Sequence, residues 1–446
     1  MLSNLLRLNV PRLLLTGAIL AAGGLVRAES APTGPAKVEV RRVDGQWRLW
    51  VNHQPFFIKG AGLEVGEQEK LAACGGNSFR TWTTRHGRQT LDRALKNGLY
   101  VTLGLDVARE RHGFDYSDPQ AVARQLAEIK AQVLEFKDHP ALLMWDIGNE
   151  LNLESHNPRV WDAVNDISKM IHRVDPNHPT TTSVAGLSRD LVTQIKHRAP
   201  DLDLLSVQFY ADIVNLPRRL QNSGWDGPYA VTEWGATGHW ECGKTLWGAP
   251  IEDDSSTKAG LFKQRYEVAI ASDTRHCLGS YVFLWGQKQE RTPTWYGLFL
   301  PSGESTETVD VMQYLWTGQW PESRCPRVDG FTLDGKTARE SVYLTPGRVY
   351  PAQLLAQSPS GAPLTYAWEI LNESAAQSVG GDHEDTPRRW PGLVAAGADG
   401  QAQVTAPAKP GAYRLFAYAL DGRGKAAYAN IPFYVDVKSA TAAPRQ

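Results

Sequence analysis

The chain has 446 residues, 42% of them hydrophobic, and its 47 Lys and Arg nearly cancel its 48 Asp and Glu, for a formal net charge of −1. That length buries a large core in two domains. The basic residues form no block, so the electrostatic footprint of a nucleic-acid or polyanion ligand is missing, and a neutral polymer suits the balance better.

Arg7 and Arg12 lead into an apolar stretch from Leu13 to Val26, closed by the small-residue pattern Val26-Arg27-Ala28. This predicts a signal peptide over 1–28, a linker over 29–37, and an exported protein, periplasmic or extracellular. The run is short for a bilayer span and holds Gly17, Gly23 and Gly24, so no membrane span is expected once it is removed. Export permits disulfides. Cys74, Cys242, Cys277 and Cys325 are an even set with three pairings open. No two of them are close in sequence and no His stands at a ligand-like interval beside them, so no metal and no cofactor is expected.

From Val38 to Trp50 polar and apolar residues alternate around Asp44-Gly45, a hairpin signal. Eight strand candidates come next, at 56–62, 77–82, 100–107, 141–149, 179–184, 203–210, 229–235 and 279–286. Helical patterns separate them. The clearest starts at Asp118-Pro119, an N-cap and first-turn pair, with Val122, Leu126, Ile129, Val133 and Phe136 on one stripe. Another spans 159–174, with Val160, Val164, Ile167 and Ile171 at helical spacing. Strands and helices alternating eight times over roughly 250 residues predict an α/β fold, a (β/α)8 TIM barrel over 38–320 with its site at the strands' C-terminal ends. The hairpin is expected to plug the barrel's N-terminal end.

Past residue 320 helical periodicity stops, and 364–370, 412–418 and 427–437 alternate in the strand period between Gly and Pro. The expectation is a C-terminal all-β sandwich domain over 321–438, with a disordered tail at 439–446. The acidic run Asp382-His383-Glu384-Asp385 suits either calcium or water, and a solvated loop is the expected state.

Two stretches carry the chemistry. Ala141 to Trp145 is apolar throughout, as in a strand buried on both faces, and ends in Asp146-Ile147-Gly148-Asn149-Glu150. Tyr229-Ala230-Val231-Thr232-Glu233-Trp234-Gly235 repeats the design, delivering a second Glu at a strand end. Two carboxylates on two strands of one barrel suit retaining glycoside cleavage, where one protonates the leaving oxygen and the other attacks from the opposite face.

The Trp145-Asp146-Ile147-Gly148-Asn149-Glu150 motif on the fourth strand and Thr232-Glu233-Trp234-Gly235 on the seventh resemble the clan A retaining glycoside hydrolases, the barrels of families 2 and 5 above all. The resemblance covers 38–320 and implies Glu150 as acid/base and Glu233 as nucleophile. It further implies that Asn149 contacts the sugar 2-hydroxyl, that Arg80 and Tyr210 hold the nucleophile, and that Trp285 forms the floor under the sugar. Family 2 enzymes normally carry sandwich domains before the barrel, whereas here only a hairpin precedes it.

Of the 15 Trp, Trp82, Trp234, Trp240, Trp247 and Trp295 fall in expected barrel-end loops, where flat rings suit sugar faces. His86, His156 and His239 follow strands two, four and seven, and 289–297 forms a polar-aromatic loop after the eighth. The expected function is hydrolysis of a β-linked glycan, a β-glucan first, by a monomer with an oligo- or polysaccharide substrate. The alternatives are a transglycosylase using the same residues, a non-catalytic carbohydrate-binding scaffold, and a sandwich that is itself the working part.

Overall fold

The computed structural model describes residues 34–437 other than Val65 and Val379. The expected signal peptide, most of its linker and the C-terminal tail lie outside these residues. Three antiparallel strands open the fold: β1 (Val38–Val43), β2 (Gln46–Val51) and β3 (Gln54–Phe56). Val38, Leu49 and Val51 pack against Leu143, Met144, Leu204, Ala230 and Leu278, which stand at or near the starts of barrel strands. The hairpin therefore seals the end opposite the site.

The barrel strands are β4 (Ile58–Gly62), β5 (Ser78–Arg80), β6 (Tyr100–Leu105), β7 (Leu142–Asn149), β8 (Thr180–Ala185), β9 (Leu205–Gln208), β10 (Tyr229–Gly235) and β11 (Cys277–Phe283). They close in the order β10-β11-β4-β5-β6-β7-β8-β9, all parallel. The surrounding helices are α1 (Gln68–Ala73), α2 (Gly87–Lys96), α3 (Pro119–Phe136), α4 (Arg159–Val174), α5 (Arg189–Arg198), α6 (Leu216–Ser223), α7 (Ser255–Arg265) and α8 (Glu307–Thr317). Local chemistry sets their starts. Asp118 caps α3 through a 2.8 Å bond from the Gln120 N–H with Pro119 in the first turn, and Ser188 and Asp254 cap α5 and α7 in the same way.

Inside the barrel the side chains are largely small and polar. The Tyr281 hydroxyl meets Ser78 at 3.0 Å and Thr102 at 2.6 Å, and Ser183 meets Thr232 at 2.9 Å. Each of these buried hydroxyls thereby finds a partner.

Eight further strands build two four-stranded sheets: β12 (Arg327–Leu333), β13 (Val342–Leu344), β14 (Val349–Gln357), β15 (Thr365–Asn372), β16 (Val394–Ala396), β17 (Gln401–Thr405), β18 (Gly411–Leu420) and β19 (Ala426–Val435). The sheet orders are β12-β14-β17-β16 and β13-β19-β18-β15, with Leu333, Ile370, Val404, Leu415 and Phe433 in the core. Barrel and sandwich belong to one compact unit. A buried polar cluster joins them: Lys258 of α7 pairs with Glu252 at 2.6 Å and meets the Tyr428 hydroxyl at 2.9 Å, while the Asn430 amide donates to Glu252 at 2.7 Å. Arg414, 1% exposed, donates to the Pro250 carbonyl and pairs with Glu373.

All four cysteines are free thiols, so none of the three open pairings is formed. Among the described residues no cluster of three or more His, Cys, Asp or Glu is placed to hold a metal, and no helix is long and apolar enough to cross a membrane.

Candidate active site

Both candidate glutamates emerge at the mouth where the strand period breaks. In β7 the register against β8 slips between Asp146 and Asn149, with Gly148 at φ +77°. Strict alternation would send Asp146 and Asn149 to opposite faces. The bulge lets both meet Arg80: Nη2 lies 3.0 Å from Asp146 Oδ2 and 2.9 Å from Asn149 Oδ1. A Cβ on Gly148 would stand 2.6 Å from Leu151 Cδ1, and the positive φ favours glycine there. A second slip, between Val231 and Glu233 of β10, brings Glu233 to the same guanidinium. Bulges at both carboxylate-bearing strands re-aim side chains into one place.

Three donors orient Glu233. Arg80 Nη1 reaches Oε1 at 3.2 Å, the Trp82 indole N–H donates to Oε1 at 2.8 Å, and the Tyr210 hydroxyl donates to Oε2 at 3.0 Å. Burial holds the Tyr210 phenol well above its ordinary range, so it keeps the proton it donates. Arg80 is 1% exposed and spans Glu233, Asn149 and Asp146. Asn149 Oδ1 also accepts from Gln208 at 2.7 Å, which leaves its Nδ2 donors out of both bonds.

Glu150 sits at φ +52°, in the left-handed region that a non-glycine residue seldom occupies. Its backbone N–H donates to the Ser183 carbonyl at 2.8 Å and its own carbonyl faces Arg111 Nη1 at 3.5 Å. Burial first, then the Glu233 charge, push its carboxyl up to about 8. Such a group is still an acid at neutral pH.

Two expected sugar contacts lie elsewhere. Trp234 is fully buried on the outer face of β10 against Phe262 and Tyr266, because the strand that turns Glu233 to the mouth turns its neighbour away. Trp285 is 1% exposed, packed on Phe299 and Trp316, with its indole N–H on the Glu67 carbonyl. Neither offers a face to a ligand. The eighth-strand aromatic beside the Glu233 cluster is Phe283, edge-on to Trp82 at 5.8 Å and to Tyr210 at 6.0 Å. Trp82 itself serves Glu233 through its N–H.

Of the other loop tryptophans, Trp295 is buried and Trp247 packs against Tyr343 and Tyr434 of the sandwich. Trp240 is 57% exposed, edge-on to Tyr210 at 5.4 Å. His239 lies between Trp240 and Trp295, its ring held neutral as burial takes it down to about 4. His86 precedes α2, and the backbone of His156 donates to Glu110. Sequence reading passes over Asp146, Gln208, Phe283, Arg111 and Glu290. An Asp inside an apolar strand is the one visible signal among them.

Residues 76–238 match the family model described as "Glycosyl hydrolases family 2, TIM barrel domain". That match runs from β5 to β10 of the barrel. Its fold is also that of solved β-glucuronidases. One from Dictyoglomus thermophilum is 17% identical at a TM-score of 0.50, over 64% of this chain and 54% of that one. Another, from Bifidobacterium dentium, complexed with coumarin-3-O-glucuronide, is 16% identical at 0.50 over 64% and 49%. The chain spans about half the length of these enzymes. Glu150 and Glu233 stand at the C-terminal ends of the fourth and seventh barrel strands, β7 and β10.

Proposed function

We propose that the protein is a retaining β-glycosidase with Glu150 as acid/base and Glu233 as nucleophile. The observation that carries this is their pairing at one mouth: a buried carboxyl raised to about 8 beside a second carboxyl fixed by Arg80, Trp82 and Tyr210. In the first step Glu233 bonds to the anomeric carbon as Glu150 gives its proton to the departing oxygen. In the second, Glu150 takes a proton from water as that oxygen attacks the same carbon and frees Glu233. A sugar hydroxyl in place of water gives transfer instead of hydrolysis. The Asn149 amide protons left free by Arg80 and Gln208 suit the sugar 2-hydroxyl.

The favoured glycone is a terminal β-glucuronide. The Lys288 ammonium lies 5.8 Å over the Phe283 ring and donates to Glu290 and to the Gly381 carbonyl, which leaves a third N–H without a protein partner among the described residues. A sugar carboxylate suits that donor, and the Dictyoglomus thermophilum and Bifidobacterium dentium structures that share the fold are glucuronidases. The β-glucan expectation leaned on a bare barrel with short leading loops and many Trp, and of the five Trp expected in barrel-end loops Trp240 alone is well exposed. The apolar stretch at 13–26 supports work after export.

The test is a panel of 4-nitrophenyl β-glycosides, glucuronide, glucoside, galactoside and mannoside, with short β-glucans alongside and Glu233→Ala as control. Release of the β-anomer first, lost in the variant, is expected. Turnover that survives Glu233→Ala would remove the nucleophile assignment, and a preference for β-glucans would restore the polymer reading.

A further inference from the structure

The run Asp382-His383-Glu384-Asp385 belongs to the sandwich in sequence, but the fold sets it on the barrel mouth. It is solvated only in part: His383 and Asp385 are exposed as expected, while Asp382 and Glu384 turn to the barrel loops. Glu384, 4% exposed, accepts from the Arg291 backbone N–H at 2.7 Å and from the hydroxyls of Ser374 and Ser378. The Arg291 guanidinium donates to the Ala376 carbonyl. Ahead of Glu384, the Gly381 carbonyl accepts from Lys288 at 2.6 Å. The Asp382 carboxylate faces Arg111 Nη2 at 3.6 Å and His112 Nε2 at 3.3 Å. The segment thus spans barrel loops after β6 and after β11.

Gly380 is the point of closest approach. Its φ is +60°, and a Cβ there would stand 3.1 Å from Glu150 Oε2, 2.8 Å from Arg111 Nη2 and 2.9 Å from Leu153 Cδ2. Sandwich backbone therefore lies against the acid/base carboxyl. A general acid must come within roughly 2.6–3.2 Å of the oxygen it protonates. Whatever touches that carboxyl from outside borders the leaving group.

On the reading of Glu150 as acid/base, we propose that segment 380–385 of the sandwich is the wall of the leaving-group subsite. Asp382, clamped to Arg111 and His112, determines how large an aglycone the site takes. The glycine at 380 gives the wall its reach and Glu384 its footing. The other charged groups facing Glu150 are Glu233, Arg80, Arg111 and Glu290. The wall completes the burial that keeps this acid protonated.

The experiment uses the full chain with Asp382→Ala and, as the conservative replacement, Asp382→Glu. The first readout is the ratio of kcat/KM for a trisaccharide β-glucuronide to that for 4-nitrophenyl β-glucuronide. Asp382→Ala is expected to raise it roughly tenfold, the scale at which pocket contacts discriminate between substrates, and Asp382→Glu to stay near wild type. The second needs no turnover: the stability gained by Glu150→Gln across pH 5 to 8 reports the burial of Glu150. That gain is expected to shrink in the Asp382→Ala background as water reaches the carboxyl. An unchanged ratio together with an unchanged gain overturns the wall. Absence of turnover across the aryl glycosides instead tells against the glycosidase reading, while the pH-dependent gain decides the contact separately.

Discussion

Glu150 has three costs at one residue: a left-handed backbone, burial, and a neighbouring carboxylate. Its folded-state carboxyl titrates at about 8, against an ordinary 4.5. In the unfolded chain the proton leaves near 4.5, so between these values the unfolded state binds fewer protons and stability falls as pH rises. Below 4.5 the penalty vanishes, and above 8 it is constant. Glu150→Gln removes the ionisable group, so the variant is expected to match wild type near pH 4.5 and to gain up to about 3 kcal/mol by pH 7. Melting curves at several pH values check this. In the same variant kcat for a poor leaving group is expected to fall by about 10²–10⁴, since general acid catalysis is lost. For wild type, activity declines on the alkaline side as the acid ionises near pH 8.

At the scale of elements, what distinguishes the two strands that deliver Glu150 and Glu233 is irregularity. β7 and β10 each slip register one or two residues before the mouth, and the slips bring Asn149 and Glu233 to Arg80. The opposite end, where β7 and β10 slip once more against β6 and β11, is apolar and serves stability. Leu49, fully buried in the hairpin seal, is far from this chemistry. Leu49→Ala is expected to cost about 2–5 kcal/mol while kcat and KM hold. Thermal melts beside steady-state kinetics separate the two, and a loss of kcat would mean that the seal governs mouth geometry.

For the whole molecule, the sandwich is a structural partner of the barrel. Cutting the chain near Pro321 would strip Glu252 of Asn430 and Lys258 of Tyr428, leaving a charged cluster built for burial open to water. It would also remove the backbone that covers Glu150. The truncated barrel is expected to be insoluble or inactive, and the intact protein to unfold in one calorimetric transition. A soluble 34–321 fragment with wild-type kcat/KM would show that the sandwich is dispensable.

The barrel was legible in the residues alone, because eight apolar runs with helical stripes between them have one compact solution, and all eight strands lie within or across the expected spans. Both glutamates were legible too, since each ends an apolar run at the face where this fold keeps its sites. Direction and company came from the packed chain. Trp234 and Trp285 had the right spacing for sugar contacts, but a bulge and a strand end turned their rings into the core. Trp82 has the position of a platform, and its N–H points at Glu233. The acidic run at 382–385 carried no signal of its destination, because its partners Arg111, His112 and Arg291 lie about 90 to 270 residues away. Period and composition are local properties. Which distant backbone comes to rest on a buried acid is settled only when two domains pack.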